Sequence, residues 1–525
     1  MWTGGGLLVA LIATGAALLV ALHRVEPFLR ARIVAELEEH FHARVALDSF
    51  HISLMDGLWA EGKGLRIWPP ASHAAGPEAG QPLIQLKEFR FHAPLHYNPG
   101  KPFHISLVQL RGLDVDLPPK AQLGHAVAAV ARRSPNSKPP LVQITLGAID
   151  CTAAHLTLEP GKPGKPPLKF AIAHLKLTGI SGGGAMKFGA RLTNPRPVGT
   201  IITKGSFGPW VVDDPADSPV SGNYRFEHAN LASFKGIAGI LSSQGHYSGT
   251  LSDMTVDGET NTPDFRLGTG GAAMDLRTRF HARVDGTDGD TWLEPVNATL
   301  GHSHLIARGH VVRVPAGRYI ALAVYVNGGR IQDFLRLASR GAPLLTGALA
   351  MKTALDIPPG PAPVGDRMRL KGSFTLTDTR FTNAKMQQRV GGLSMRGQGQ
   401  PKDTDSRAAA HVRATMRSNF QMKNNVVTLP DLVYEVPGVQ INLKGSYGVA
   451  SGKLHFTGTA KMQATISQMV GGWKGLLLKP LDHFFKQGGS GTVVPVVVGG
   501  TRADPEFTVD IGRLKKTVHG RPGEP

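Results

Sequence analysis

The chain holds one cysteine, Cys151, in 525 residues. A lone thiol excludes an intrachain disulfide and any cysteine cluster for zinc or iron–sulfur. Aromatics are scarce at 6%, and they do not interleave with the Lys and Arg. No glycine-aromatic RNA-binding strand motif and no zinc finger occurs, so nucleic acid is not an expected partner. The phosphate-cradling G-x-x-x-x-G-K-[ST] loop, a dinucleotide fingerprint in a βαβ unit and the H-E-x-x-H metalloprotease pair are all missing. No two carboxylates stand in a recognisable acid–base setting. Helix-forming periodicity is also in short supply, which turns out to matter most.

Two fragments resemble catalytic or metal motifs. "GISGG" (Gly179, Ser181, Gly183) fits the G-x-S-x-G nucleophile elbow, but that motif needs a helix after the serine, and "GGAMKFGARL" reads as a strand. A glycine hairpin is the better reading. "HFH" (His40, His42) and "HSH" (His302, His304) could each offer two ligands on one strand face, and His92 and His96 flank a proline. None has a third ligand nearby in sequence, and a solvated strand face accounts for them. The expectation is therefore no catalytic residue, no metal and no cofactor.

What the chain does have is Gly (64), Pro (38) and an excess of base, 58 Lys and Arg against 39 Asp and Glu, or +19. A basic surface of this size favours polyanions: nucleic acid, anionic lipid headgroups or lipopolysaccharide. The Gly and Pro punctuate short alternating runs. In "KLHFTGTAKM", Leu454, Phe456, Ala460 and Met462 alternate with His455, Thr457, Thr459 and Lys461. That is a strand with one apolar and one polar face. Counting such runs predicts roughly 25–30 strands. Short helices are predicted near Gln122–Arg132, Leu231–Leu241, Ile331–Arg340 and Ile466–Phe485, too few to cover every apolar strand face. A second sheet would cover the remainder in a sandwich; acyl chains would cover it in a groove. The sequence leaves both open.

One internal repeat stands out. "SGTLSDMTVDGETNTPDF" (Ser248 to Phe265) aligns without gaps on "SGTVVPVVVGGTRADPEF" (Ser490 to Phe507), with seven of eighteen positions identical. The expected structure in both copies is a strand, a glycine turn, a proline that ends pairing and a phenylalanine that opens the next strand.

At the N-terminus, Gly4 to Leu22 is a run of 19 residues without a charge. A helix of that length spans about 28 Å, close to the hydrocarbon thickness of a bilayer. It lacks a basic n-region and exceeds the usual apolar length of a signal peptide, so a retained anchor is expected. The amphipathic stretch after it (Arg24–Phe41) is expected to cap the first strands.

The opening "FHARVALDSFHISLMDGLWAEGKGLRI" and the closing blocks "LVYEVPGVQINLKGSYGVASGKLHFTGTAKM", "GGWKGLLLKPLDHFF" and "GTVVPVVVGGTRADPEFTVDIGRL" resemble the AsmA family of bacterial envelope proteins, relatives of the TamB- and YhdP-type proteins. The resemblance implies an inner-membrane anchor with the bulk of the chain in the periplasm. It further implies an elongated repeating β-groove that conducts phospholipid between inner and outer membranes. The expected fold is mostly β: an N-terminal transmembrane helix, then an open curved antiparallel sheet with an apolar inner face and a few short helices. The expected division is an anchor at 1–23, an N-terminal β region at 24–205, a middle groove region at 206–357, a C-terminal β region at 358–514 and a tail at 515–525. Candidate groove-lining residues are Ile441, Leu443, Tyr447, Val449, Leu454, Phe456, Ala460, Met462, Val494, Val496 and Val498. Expected partners are phospholipid or another anionic envelope lipid and the inner membrane, with outer-membrane or periplasmic assembly proteins as further candidates. A non-catalytic scaffold that docks strands of outer-membrane proteins is the alternative.

Overall fold

The computed structural model describes residues 44–53, 59–68, 81–92, 103–117, 144–158, 167–180, 184–209, 215–268, 270–339, 341–470, 491–502 and 504–509, together with residues 211 and 479 and parts of 26–38. The apolar run 4–22 and the helix expected near Gln122–Arg132 lie outside them, as do His40, His42, His96 and Ser181. Among the described residues no helix is long and apolar enough to cross a membrane. Strand makes up 66% of the structure, and twenty-five strands hydrogen-bond into one sheet. The chain divides into two compact units. Unit one is Met1–Ala229, Ser243–Gly258 and Arg283–Thr291; unit two is Asn230–Ser242, Glu259–Ala282 and Trp292–Pro525.

Unit one begins with β1 (Val45–Ala46), β2 (Ser49–Ser53) and β3 (Trp59–Ile67). β1 and β2 both pair with β3, as two halves of one bent strand. Sequence order then continues through β4 (Ile84–His92), β5 (Phe103–Leu117), β6 (Ile144–Leu158), β7 (Leu168–Thr178), β8 (Met186–Pro195) and β9 (Val198–Phe207). Helical residues Ile33 and Val34 pack on Leu47, Phe50 and Ala60. Arg30 Nε donates to the Leu47 carbonyl, and Glu38 and Glu26 accept from the Val45 and Ile52 amides. The amphipathic stretch thus caps the first strands.

The expectation of a purely antiparallel sheet is overturned at β5 and β6, which pair in parallel, from Phe103 opposite Ile144 to Leu117 opposite Leu158. A parallel return needs a long crossover, and residues 118–143 are long enough to supply it. The two strands also break the simple alternation together. Gly112 (φ +68) and Ala153 (φ +53) are left-handed and fall opposite one another. Each flips the side-chain phase, so Val108 and Leu110 share a face with Leu113 and Val115, as Ile149 and Cys151 do with Ala154 and Leu156. The apolar face survives the kink.

β10 (Pro219–Asn230), β11 (Ile237–Ala238), β12 (Ile240–Thr250), β13 (Met254–Leu267), β14 (Met274–Val284) and β15 (Thr291–Leu300) follow. The helix expected at Leu231–Leu241 is not formed. Only Leu231–Ser233 makes a 3-10 turn, capped by Asn230, and β11 and β12 take the rest. The repeat likewise loses its common structure. In the first copy Gly258 and Pro263 lie inside the single strand β13, whereas in the second Gly500 (φ +75) turns the chain and Pro505 opens a new strand.

Unit two continues with β16 (Ser303–Val314), β17 (Gly317–Arg330), β18 (Leu345–Ile357), β19 (Arg369–Phe381), β20 (Ala414–Lys423), β21 (Val426–Val436), β22 (Val439–Gly448), β23 (Leu454–Met462), β24 (Thr492–Gly500) and β25 (Pro505–Val509). Each pairs antiparallel with its sequence neighbours. One four-residue helix, Val364–Arg367, follows β18; the helices Ile331–Ala338, Ala384–Gly397, Arg407–Ala410 and Ile466–Val470 follow β17, β19 and β23. Those three strands run in the same direction, so these helices gather at one end of the unit.

Candidate functional site

Directly opposed residues in an antiparallel pair share a face, so the registers of unit two define its two faces. On one, Leu376 stands opposite Met416, Met416 opposite Tyr434, and Tyr434 opposite Ile441. Ile441 then faces Ala460, and Ala460 faces Val494. A parallel row runs Val427, Tyr447, Leu454, and another Leu432, Leu443, Gly458, Val496. The opposite face carries Lys444, Ser446, His455, Thr457, Thr459 and Lys461. Ten of the eleven candidate lining residues therefore stand on one apolar face. Val449 does not: it lies in the turn after β22, where its amide donates to the Asn425 carbonyl.

The apolar face is maintained across an interruption. "LPDL" places an extra residue in β21, so that Leu429 stands opposite Gly445 but Leu432 opposite Leu443. Asp431 clamps this bulge, accepting from Ser418 Oγ at 3.0 Å and the Asn419 amide at 2.8 Å. Burial pushes the Asp431 carboxyl up, but these bonds outweigh it and hold the group below the ordinary carboxylate range.

One end of this face is covered. The helix Ala384–Gly397 and the short helix Arg407–Ala410 lay Val390, Leu393, Met395 and Ala409 over Tyr434, Val436, Val439, Ile441 and Met462. Asn383 caps the first helix at the Met386 amide. Gln387 bridges the Phe381 amide and the Val412 carbonyl, and Ser394 Oγ donates to the Pro437 carbonyl at 2.7 Å. Gly391 is required here, because a Cβ would lie 2.0 Å from the Ala409 carbonyl oxygen. Under the cap the Tyr434 hydroxyl is buried with no hydrogen-bond partner, and burial raises its pKa strongly.

The rest of the face has a different character. Phe420, Leu429, Leu432, Phe456 and Val498 form a cluster with Met351, Leu370, Phe374, Val427, Leu443, Tyr447 and Leu454. Every member belongs to a strand of this same sheet face; at its border Met351 and Phe374 also pack on the Val326–Leu349–Leu376 cluster, which Ile331 and Phe334 of the helix Ile331–Ala338 join. Phe456, Ala460 and Val498 are buried by their neighbours, whereas Leu443, Tyr447, Leu454, Val494 and Val496 stay half-exposed.

Within unit one an apolar face passes through Leu175, Phe188, Ala190 and Leu192 and then meets hydroxyls. Thr203, opposite Ala190, lies 2.7 Å from the Tyr247 hydroxyl, and Tyr224 lies 3.1 Å from Ser243 Oγ. Burial raises the pKa of both tyrosines. Gly222 and Gly245 leave room for the rings: a Cβ on Gly222 would be 2.7 Å from the Tyr247 oxygen. Strand alternation conceals this polar band, since Tyr, Ser and Gly occupy the inward parity there; the alternation of "NYRF" and "HYSG" was its only trace in sequence.

His302 lies in the β15–β16 turn with its amide on Asp333, and His304 Nδ1 meets Thr299 Oγ1 at 3.2 Å. Among the described residues no group of three or more His, Cys, Asp or Glu could hold a metal. The element after Gly184 is strand β8, not the helix that a nucleophile elbow requires. The chain matches no family model, no curated protein and no solved structure.

Proposed function

We propose that this protein binds or conducts phospholipid, or another envelope lipid, along the apolar face of its sheet, without catalysis. In this reading it is an inner-membrane-anchored periplasmic protein of outer-membrane biogenesis, and its strands form the elongated groove expected from the AsmA resemblance. The observation that carries the proposal is the Phe420–Phe456–Val498 cluster, all of whose members among the described residues lie on strands of one face. Each CH₂ of an acyl chain gains about 0.8 kcal/mol on leaving water for such a surface. The helices at one end would then close the trough there.

The test uses β24, whose two faces are equally greasy. Photocrosslinkers replace Val496, on the face of Leu443, or Val497, on the face of Thr457. Lipid adducts are expected from Val496, Leu443 and Tyr447 and to be several-fold fewer from Val497 and Lys444. Equal yields from Val496 and Val497, or lipid-free protein throughout, would reject the groove and leave the strand-docking scaffold.

A further inference from the structure

No Asp or Glu occurs between Glu159 and Asp213, a stretch that includes β7, β8 and β9. On the polar face of these strands Lys176 stands directly opposite Gly189, and Gly189 directly opposite Lys204. Lys187 and Arg191 lie two residues either side of Gly189 on β8 and share its face. Four cations therefore surround a residue without a side chain, two at roughly 5 Å and two at roughly 7 Å between Cα atoms. All four are exposed. Elsewhere in unit one the same kind of face pairs its charges: Glu61 with Lys63 and Arg90, Asp114 with His155, Arg283 with Asp253. Among the described residues none of these four has a carboxylate salt bridge. The nearest acid by register is Asp150, opposite Lys176, and His174 Nε2 already engages it at 2.8 Å.

Like charges on neighbouring strands repel, and this quartet lacks the counter-charge that its surroundings have. We infer that the outer face of β7–β9 is a docking surface for the anionic surface of a phospholipid bilayer, held by Lys176, Lys187, Arg191 and Lys204 around Gly189. Among the described residues no element walls the patch, which suits an extended plane of charge better than a single small anion. It offers no aromatic ring on which a base could stack, which disfavours a single-stranded nucleic acid. The inference is independent of the acyl-chain proposal, because it uses the opposite face of the strands.

The test uses the full chain held in nanodiscs of phosphatidylcholine, with flotation of added vesicles. Vesicles containing phosphatidylglycerol are expected to carry the protein, and pure phosphatidylcholine vesicles are not. Recruitment should vanish as salt shortens the screening length from ~8 Å at 0.15 M to ~3 Å at 1 M. The K176Q/K187Q/R191Q/K204Q variant should lose recruitment roughly tenfold or more. The K352Q/K371Q/K444Q/K461Q variant removes the same charge from unit two and should change it less than about twofold. Gly189 supplies a milder probe, since a Cβ there meets only Lys204 Cγ at 3.8 Å. Gly189→Asp should abolish recruitment while the isosteric Gly189→Asn retains it. Equal loss in both quartets would reduce the effect to net charge and overturn the inference. So would absence of recruitment in the native chain, or a quartet effect confined to duplex DNA.

Discussion

Tyr434 carries a hydroxyl that finds no partner beneath the helical cap. An unsatisfied buried donor costs roughly 1–3 kcal/mol. Tyr434→Phe keeps the ring and removes the cost, so it should raise stability by about 1 kcal/mol in denaturant unfolding; a loss of that size would mean the hydroxyl has a bonded partner after all. Asp431 is the converse case, a carboxylate held below its ordinary pKa by Asn419 and Ser418. A group depressed in the folded state stabilises it above the unfolded pKa, near ~3.9, and that contribution fades as pH falls through the lower folded value. Asp431→Asn should therefore lower the unfolding midpoint at neutral pH and flatten its decline on acidification. An unchanged acid limb would show the clamp to be energetically idle. The Cys151 thiol is pushed up to about 11 by burial, with Asp150 adding to it. It should resist alkylation near neutral pH until unit one opens.

At the scale of the element, the helix Ala384–Gly397 was illegible in the sequence because Gly391 and Gly392 break its pattern. Its glycines are explained only by what presses on them: Gly391 by the Ala409 carbonyl and Gly397 by Val439. Gly391→Val should displace the helix from Arg407–Ala410, destabilise unit two by roughly 2 kcal/mol, and raise binding of an apolar dye as Tyr434 and Val436 are uncovered. A dye response equal to that of the native chain would show that the cap does not shield this end. The strands were far more legible, since alternation marks them one by one. It failed where a left-handed residue or a bulge reset the phase, at Gly112, Ala153 and Asp431, and at β24, where Val493 to Val498 are apolar on both parities.

Across the whole molecule, most registers join sequence-neighbouring strands, and the exceptions, β1–β3, β10–β12 and β11–β13, skip only one. Stability in such an array is close to a sum of nearest-neighbour terms. Phe456→Ala should cost roughly 3 kcal/mol where it is made and accelerate amide exchange in β22, β23 and β24. It should leave the alkylation rate of Cys151, in unit one, unchanged; a parallel rise at Cys151 would reveal a single cooperative fold.

The sequence by itself determined that this is a chain of alternating strands with too little helix to cover them, because a two-residue period is local and needs no partner to be read. It also grouped the candidate lining residues of β22 and of β23 by face, since parity within each strand settles that much. Which way β5 and β6 run, which parity of β24 is the greasy one, and where the helices settle were decided only by tertiary structure. Register, crossover direction and close approach at a glycine are relations between distant segments, and no local pattern encodes them.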